Sequence, residues 1–513
     1  MIPRTLGWIA AAVGGEVAPE FADRAVTGPV VFSSRDAVPG TLFVALQGDK
    51  ADGHEYAASA LANGAVAVLA GPDSAYRTPW PGRGDAAIPK IVAADPLAAL
   101  ADFARAHLAE LPRVCVVGLT GSAGKTSTKD LLGRLLATLA PTIAPAGSFN
   151  NELGFPLTVL RTDEATRYLV AEMGAAGPGH IASLCGIAPP RVGLVLNVGT
   201  AHLGGFGSVE GIAQAKGELV AALPTAGACN PDHDGVAVLN ADDVRVRSMA
   251  GRTAARVVTF GEAADADVRA EDVRVGADGR ASYTLFYRDG DGPQRVPVAL
   301  RLVGEHQVSN SLGAAAVALE LGVPGAQVAA VLSAAEPDSH WRMEVRETPD
   351  GVTIVNDAYN ANPDSMRAAL KTLATMVRAR PGARSWAVLG EMRELGPTGI
   401  VEHDAIGRLA VRLNISQTVA VGPGAAAINS GAAMEGSYDG ESVAVLDADA
   451  AFELVRAGIR PGDVVLVKAS RSVGLEKLAA ALLAAAAPGA APTPGPTPGP
   501  ADLPTPLRKV PLR

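Results

Sequence analysis

The stretch "GLTGSAGKTSTKD", Gly118 to Asp130, decides how this chain is read. It continues an apolar run, "RVCVVGL", and leads into "TSTKDLLGRLLATL", whose leucines recur at helical spacing. A strand, a glycine-rich turn and a helix aim backbone N–H groups at an anion held at the helix N-terminus. Lys125 can then reach terminal phosphate oxygens, and the Thr126 hydroxyl can ligate Mg²⁺. The commonest phosphate loop would want a glycine at position 119, where this chain has Leu119; its glycines are Gly118, Gly121 and Gly124. The bland alternative is a strand–helix turn that happens to hold glycines. Gly-Lys-Thr-Ser-Thr directly after a strand favours a nucleotide site walled by Thr120, Gly121, Ser122, Ala123, Gly124, Lys125, Thr126 and Ser127.

Around the loop, strand-like apolar runs alternate with helical stretches: "YLVAEM", "RVGLVLNV", helix "GIAQAKGELVAALP", then "GVAVLNA". Continuous apolar strands between helices imply a buried, largely parallel sheet. After Val257, "ASYTLFYRDG" and "QRVPVALRL" alternate and read as antiparallel, followed by the helix "HQVSNSLGAAAVALEL". A second α/β series begins near Asp338 with "VTIVNDAY", "SWAVLGEM", "TVAVG" and "DVVLVKAS". Upstream, "TLFVAL", "GAVAVLA" and "IPKIVAA" alternate with Ala-rich helical stretches, forming a third unit.

The expected fold class is α/β in three domains. Residues 1–112 form an N-terminal α/β domain, 113–336 a central parallel-sheet phosphate-loop domain, and 337–487 a Rossmann-like C-terminal domain. The Pro-rich segment 488–513 cannot bury a core and is expected to be disordered. At roughly 100–200 residues per domain, 513 residues suit this division.

Composition sets limits. With 48% hydrophobic but only 4% aromatic residues, the cores must be built from Ala, Val and Leu. A formal charge of −9 argues against nucleic-acid binding, which wants a basic face. Cys115, Cys185 and Cys229 are odd in number and far apart, forming neither a disulfide framework nor a metal pair, and suit a reducing cytoplasm. The start, "MIPRTLGWIAAAVGGEV", reads as a first helix rather than a signal peptide. No apolar stretch reaches the roughly 20 residues a bilayer span needs. A cytoplasmic monomer with no stable membrane insertion is expected.

Ligand groups in open α/β sheets gather at the carboxyl ends of strands. Glu172 follows "YLVA" and His202 follows "LNVGTA". Either alone reads as a cap or loop residue; with Thr126 they make a plausible Mg²⁺ set around a phosphate. Histidine is an unusual Mg²⁺ ligand, which argues against a switch-type GTPase or a kinase. On spacing alone, Lys216 in "AQAKGEL" reads as a solvated helix lysine.

Together these motifs resemble the Mur ligase family, ATP-dependent amide-forming enzymes of peptidoglycan precursor synthesis. "TGSAGKTST" is similar to that family's Thr-Gly-x-x-Gly-Lys-Thr loop, which accounts for the displaced glycine. "NNELGFPLTVL", "AEMGAAGPGHI", "NVGTAHLGGFGS", "AKGEL" and "LNADD" match as well. In the third domain "NDAYNANPDSMRAAL", "LGEMRELG" followed by His403, and "VLVKASRSVGLE" look like the branch that adds a D-alanyl-D-alanine dipeptide.

The resemblance implies ATP and two Mg²⁺ ions as cofactors, with UDP-muramoyl-tripeptide and D-alanyl-D-alanine as substrates. A substrate carboxylate is activated as an acyl phosphate and then attacked by the incoming amine. It further implies Thr126 and Glu172 on one Mg²⁺ and His202 on a second, with Lys216 carbamylated by CO₂ into an anionic ligand. Catalytic roles then fall to Lys125, Lys216 and His202. Asn310 would contact adenine, although a helix-interior Asn serves equally as a packing group, while Arg342 and Asp357 would touch phosphate and ribose. Asn150, Asn151, Asn360, Lys468, Ser470 and Arg471 would face substrate, with Asn360 and Asn362 also suited to shaping the turn before Pro363. Ser34 and Arg35, in "SSRDAVPGTLFVALQGDKADGHEY", are similar to the uridine-nucleotide pocket; alone they read as a turn with a surface Arg. Other amino-acid-adding ligases of the superfamily, including one acting on folate, and a non-catalytic nucleotide-binding protein are the competing readings.

Overall fold

Three helix-covered sheets and a two-stranded ribbon build the computed structural model, which describes residues 1–48, 51–72, 88–200, 203–225, 234–437 and 440–485. His202, Cys229 and the Pro-rich segment from 488 onward lie outside the described residues.

The central sheet has nine strands, ordered from one edge as Thr142–Ile143, Tyr168–Glu172, Cys115–Thr120, Val192–Val195, Val236–Asn240, Arg256–Gly261, Val268–Val275, Arg280–Asp289 and Gly292–Val303. Neighbours run parallel as far as Val268–Val275, and the last two strands continue antiparallel. The apolar strands bury both faces: Cys115–Thr120 is buried from Val116 onward and Val236–Asn240 throughout. That is why they read as continuous hydrophobic runs. The phosphate-loop strand sits between Tyr168–Glu172 and Val192–Val195, with Glu172 opposite Leu119 and Val195 opposite Thr120. Both neighbours therefore end beside the loop. This register is what makes a site possible.

The third domain repeats the plan with six strands in the order Glu344–Glu347, Thr353–Asn356, Val464–Lys468, Ser385–Leu389, Gln417–Val421 and Ser442–Val445. Only the first pairs antiparallel. Val464–Lys468 is central, so Lys468 ends the strand beside Asp357, which follows Thr353–Asn356. The N-terminal domain holds a five-stranded sheet, largely parallel, with Glu16–Val17 as an antiparallel edge.

The cores are Ala, Val and Leu with a few fully buried aromatics such as Phe43, Phe103, Phe155 and Phe260. Truncating one of these to Ala would cost about 3–5 kcal/mol. Among the described residues no helix is long and apolar enough to cross a membrane.

Several elements escaped the sequence reading. Val268–Val275 ("VRAEDVRV") carries four charges, and the two-residue Thr142–Ile143 is too short for any period to register. Glu344–Glu347, Ser442–Val445 and the helix Ala426–Met434 are short or small-residue segments.

Candidate active site

Gly124 is the N-cap of the loop helix Lys125–Ala137 and has φ +82°, a conformation that glycine adopts without steric cost. A Cβ at this position would also collide with Asn310 Oδ1 on the helix Gln307–Glu320. The glycine is thus required twice, by the backbone turn and by the neighbouring amide.

Lys125 Nζ donates to the Gly121 carbonyl at 2.7 Å, folding its side chain over the loop. Burial lowers its pKa, the nearby Glu172 charge opposes this, and Arg342 adds to the fall. Thr126 is buried; its hydroxyl donates to Glu172 Oε2 at 2.9 Å and accepts from Arg342 Nη2 at 2.7 Å. The other Glu172 oxygen accepts from Ser148 Oγ at 2.8 Å and from Asn150 Nδ2 at 2.7 Å. A carboxylate only 3% exposed thereby accepts from three hydrogen-bond donors, as a buried polar group must. Asn151 also lines the cavity, and its Oδ1 accepts the Gly154 N–H at 2.9 Å.

Lys216 corrects the solvated-helix reading. It lies on Val209–Ala221, is only 5% exposed, and makes no hydrogen bond or ion pair among the described residues. Burial, with the Lys125 charge adding to it, pushes its pKa well below that of a free lysine. Its position on the helix was legible. Its burial depended on what packs over it.

The third domain supplies the opposite wall. The Arg342 guanidinium stacks on the Tyr359 ring at 4.1 Å, leaving Nε buried with no partner among the described residues. Asp357 Oδ1 accepts the Met343 N–H at 3.1 Å, while Oδ2 pairs with Lys468 Nζ at 2.6 Å. Lys468, 2% exposed, also donates to the Asn360 carbonyl at 2.9 Å. Ser470 Oγ accepts the Arg393 N–H at 2.9 Å, and Arg471 pairs with Glu476 at 2.7 Å while lying over the Trp341 ring. Asn310 Nδ2 donates to Gln307 Oε1 at 2.9 Å.

Most of these residues share one cavity of about 1070 Å³ between the central and third domains; Ser470 is buried and outside its lining. Lys125, Thr126, Glu172 and Lys216 line one side, and Arg342, Asp357, Lys468 and Arg471 line the other. Ser34 and Arg35 stand apart from this lining, on the short turn Ser34–Asp36 of the N-terminal domain, with Ser34 buried and Arg35 exposed.

Two positions that line the cavity were missed. Asn197 Oδ1 accepts the N–H groups of both Ser122 and Ala123 at 2.9 Å, and its Nδ2 returns a bond to the Ala123 carbonyl at 3.2 Å. The side chain clamps the outer turn of the loop. Its signal was present, since Asn197 follows the apolar strand, but a strand-end Asn carries no signature of its own. His306, just before Gln307–Glu320, lines the cavity with Nδ1 buried and unpartnered among the described residues.

Comparison with known proteins places the chain firmly. The Mur ligase middle domain matches residues 119–318, the Mur ligase glutamate ligase domain 341–471, and the Mur ligase catalytic domain 30–108. The UDP-N-acetylmuramoyl-tripeptide–D-alanyl-D-alanine ligase of Mycobacterium tuberculosis strain H37Rv is 50% identical over 517 residues, covering 94% of this chain and 98% of that protein. The Escherichia coli K12 ligase of the same name is 34% identical, over 88% of this chain and 93% of its own length. A crystal structure of MurF from Acinetobacter baumannii superposes with TM-score 0.79 at 30% identity, covering 94% of this chain and 99% of that one. The MurF ligase of Thermotoga maritima in complex with ADP gives TM-score 0.71 at 29% identity, covering 90% and 98%.

Proposed function

The chain belongs to the Mur ligase family, and from that premise we propose that it is the ATP-dependent ligase joining D-alanyl-D-alanine to UDP-N-acetylmuramoyl-tripeptide. It releases ADP and phosphate and forms the UDP-muramoyl-pentapeptide of peptidoglycan synthesis, in the cytoplasm. The observation that carries this reading is the shared cavity, where a phosphate loop on one domain faces Arg342, Asp357 and Lys468 on another. The 50% identity to ligases of that name over 94% of the chain supports the choice of substrates.

The chemistry must bring two anions together, a peptide carboxylate and a triphosphate, so fixed positive charge is needed where charge develops. Lys125 and Arg342 supply it at the phosphate loop. The γ-phosphoryl group passes to the carboxylate, making an acyl phosphate. The dipeptide amine then attacks the carbonyl carbon through a tetrahedral intermediate, and phosphate leaves. Lys468, Ser470 and Arg471, at the end of the third-domain strand, hold the incoming dipeptide. Asn150, Asn151 and Asn360 face the acceptor peptide. Asn310 and Asp357 take the adenosine end, and Ser34 and Arg35 hold the uridine nucleotide. The working units are residues 1–112, 113–336 and 337–487.

The donors present fit Mg²⁺. Thr126 and Glu172 offer hard oxygens within 2.9 Å of each other. Two protein oxygens beside nucleotide phosphates are the usual Mg²⁺ arrangement. Bound there, Mg²⁺ would offset the repulsion between phosphate and carboxylate. His202 is assigned to a second ion on its sequence motif.

Lys216 fits a carbamate. Burial and the Lys125 charge push the Lys216 pKa down, toward the neutral amine that CO₂ requires; an N–C bond forms, a proton leaves, and the product is an anion beside Lys125. Phosphate release measured with UDP-muramoyl-tripeptide and D-alanyl-D-alanine, with the product mass determined, tests the whole reading. No dipeptide-dependent release would refute it.

A further inference from the structure

The third-domain helix Pro363–Arg378 meets the central domain end-on. Asn362 caps it: Asn362 Oδ1 accepts the Ser365 N–H at 2.9 Å, and Ser365 Oγ accepts the Asn362 N–H at 3.0 Å. With its Oδ1 so occupied, the Asn362 amide still donates from Nδ2 to the carbonyl of Ser122 at 3.4 Å. Two residues further, Asp364 Oδ2 accepts the Thr200 N–H at 2.9 Å and lies 3.4 Å from the Thr200 hydroxyl. Arg367 steadies the other Asp364 oxygen at 3.2 Å and also reaches Glu402 at 2.7 Å.

On the central side, the Gly199 N–H donates to Ser122 Oγ at 2.9 Å. A Cβ on Gly199 would collide with the Asp364 carboxylate, so the glycine is what lets the two domains approach this closely. Ser122, a residue of the phosphate loop, is therefore held by one helix end in two ways. Asn362 grips it directly, and Asp364 grips it through Gly199–Thr200.

We propose that Asp364 is a positioning residue whose bond to the Thr200 N–H latches the third domain onto the phosphate-loop face, with Asn362 as the second point of the latch. Its kinetic consequence rests on the ligase reading above. A loop set by nucleotide and a seated third domain then favour each other, because coupling between two binding events is reciprocal. The competing role for Asp364 is purely structural, since an acid in the first turn stabilises a helix through its dipole. The two roles separate cleanly. Asparagine keeps a carbonyl acceptor for Thr200 but loses the charge, whereas alanine loses both.

The test compares Asp364→Ala and Asp364→Asn in the full chain by steady-state kinetics, thermal melting and hydrogen exchange of the Thr200 amide. Asp364→Ala is expected to lower kcat/KM for D-alanyl-D-alanine roughly tenfold to a hundredfold, the span of a charge-assisted hydrogen bond. The loss should fall mainly in KM, with faster exchange at Thr200, and Asp364→Asn should recover most of both. If Ala and Asn behave alike, only the helix dipole matters and the latch is wrong. Wild-type exchange at Thr200 in Asp364→Ala would overturn it as well. Should the wild type show no dipeptide-dependent turnover, the ligase reading falls, while exchange at Thr200 still decides the latch: faster in Asp364→Ala supports it, unchanged refutes it.

Discussion

Arg342 of the third domain donates from Nη2 to the hydroxyl of Thr126 in the central domain at 2.7 Å, across 216 residues of sequence. The same hydroxyl donates to Glu172 at 2.9 Å, so a cation, a hydroxyl and a carboxylate form one chain at the mouth of the phosphate loop.

Replacing Arg342 tests that chain. Arg342→Lys keeps the charge but gives up the planar contact with Tyr359 and the geometry aimed at Thr126. A fall in kcat of roughly tenfold to a hundredfold is expected for Lys, and more for Ala. Phosphate-release kinetics beside a melting curve would show it; an unchanged kcat in both variants removes Arg342 from the site.

Glu172→Gln is expected to be severe despite equal size. The amide presents an N–H₂ where three donors now converge on oxygen, so one donor is left unpaired at a cost of about 1–3 kcal/mol. It also weakens the oxygen set assigned to Mg²⁺. Turnover should drop with a raised Mg²⁺ requirement in a metal titration, and chelation should abolish wild-type activity. A normal Mg²⁺ dependence in Glu172→Gln would contradict the assignment.

Lys216→Ala should lose activity by a factor of roughly a hundred, the loss of one strong charge-bearing partner. Short carboxylic acids should partly restore it by filling the carbamate's place. Carbon-13 NMR of wild-type protein under labelled CO₂ should show a carbamate signal that the variant lacks. An unimpaired variant would sink the role.

Asn197→Ala removes the acceptor for two loop N–H groups, at about 0.5–1.5 kcal/mol each. Affinity for ADP, read by calorimetry, should weaken roughly fivefold to a hundredfold. Equal affinity in the two proteins would make Asn197 a bystander.

Acid should destabilise the N-terminal domain through His107. This side chain is fully buried, with Nε2 donating to the Thr162 carbonyl at 2.9 Å and Nδ1 unpartnered among the described residues. Burial holds its pKa down, with the Thr162 bond opposing. The unfolded chain takes up a proton below about pH 6.5 while the folded chain stays neutral, so stability is present above that pH and lost as pH falls toward the folded pKa. Melting temperatures at pH 7.5 and 5.5 should separate more for wild type than for His107→Phe. Parallel slopes would assign the acid sensitivity elsewhere.

Much of the fold was legible because its signals are local. Apolar runs such as "VCVVGL" and "DVVLV" announce buried parallel strands by themselves. The alternation in "ASYTLFYRDG" announces the antiparallel strands beside them. Where charge or shortness hides the period, as in "VRAEDVRV" and "SVAV", the strand forms by pairing with a neighbour, and no window of sequence contains that neighbour.

The site divides along the same line. The sequence alone determined the phosphate loop, because Gly124, Lys125 and Thr126 act through backbone conformation and reach within one turn. It also placed Glu172 at a strand end, and the order of motifs along the chain carried the family resemblance. Tertiary structure decided the rest. Lys216 becomes a buried amine, without a partner among the described residues, only because other elements cover its helix. Asn197 becomes a clamp only because strand register sets it opposite the loop. Arg342 and Asp364 reach Thr126 and Thr200 only once the central and third domains dock. Hydrogen bonds and desolvation act over a few ångströms of space, and sequence separation says nothing about that distance until the packing is known.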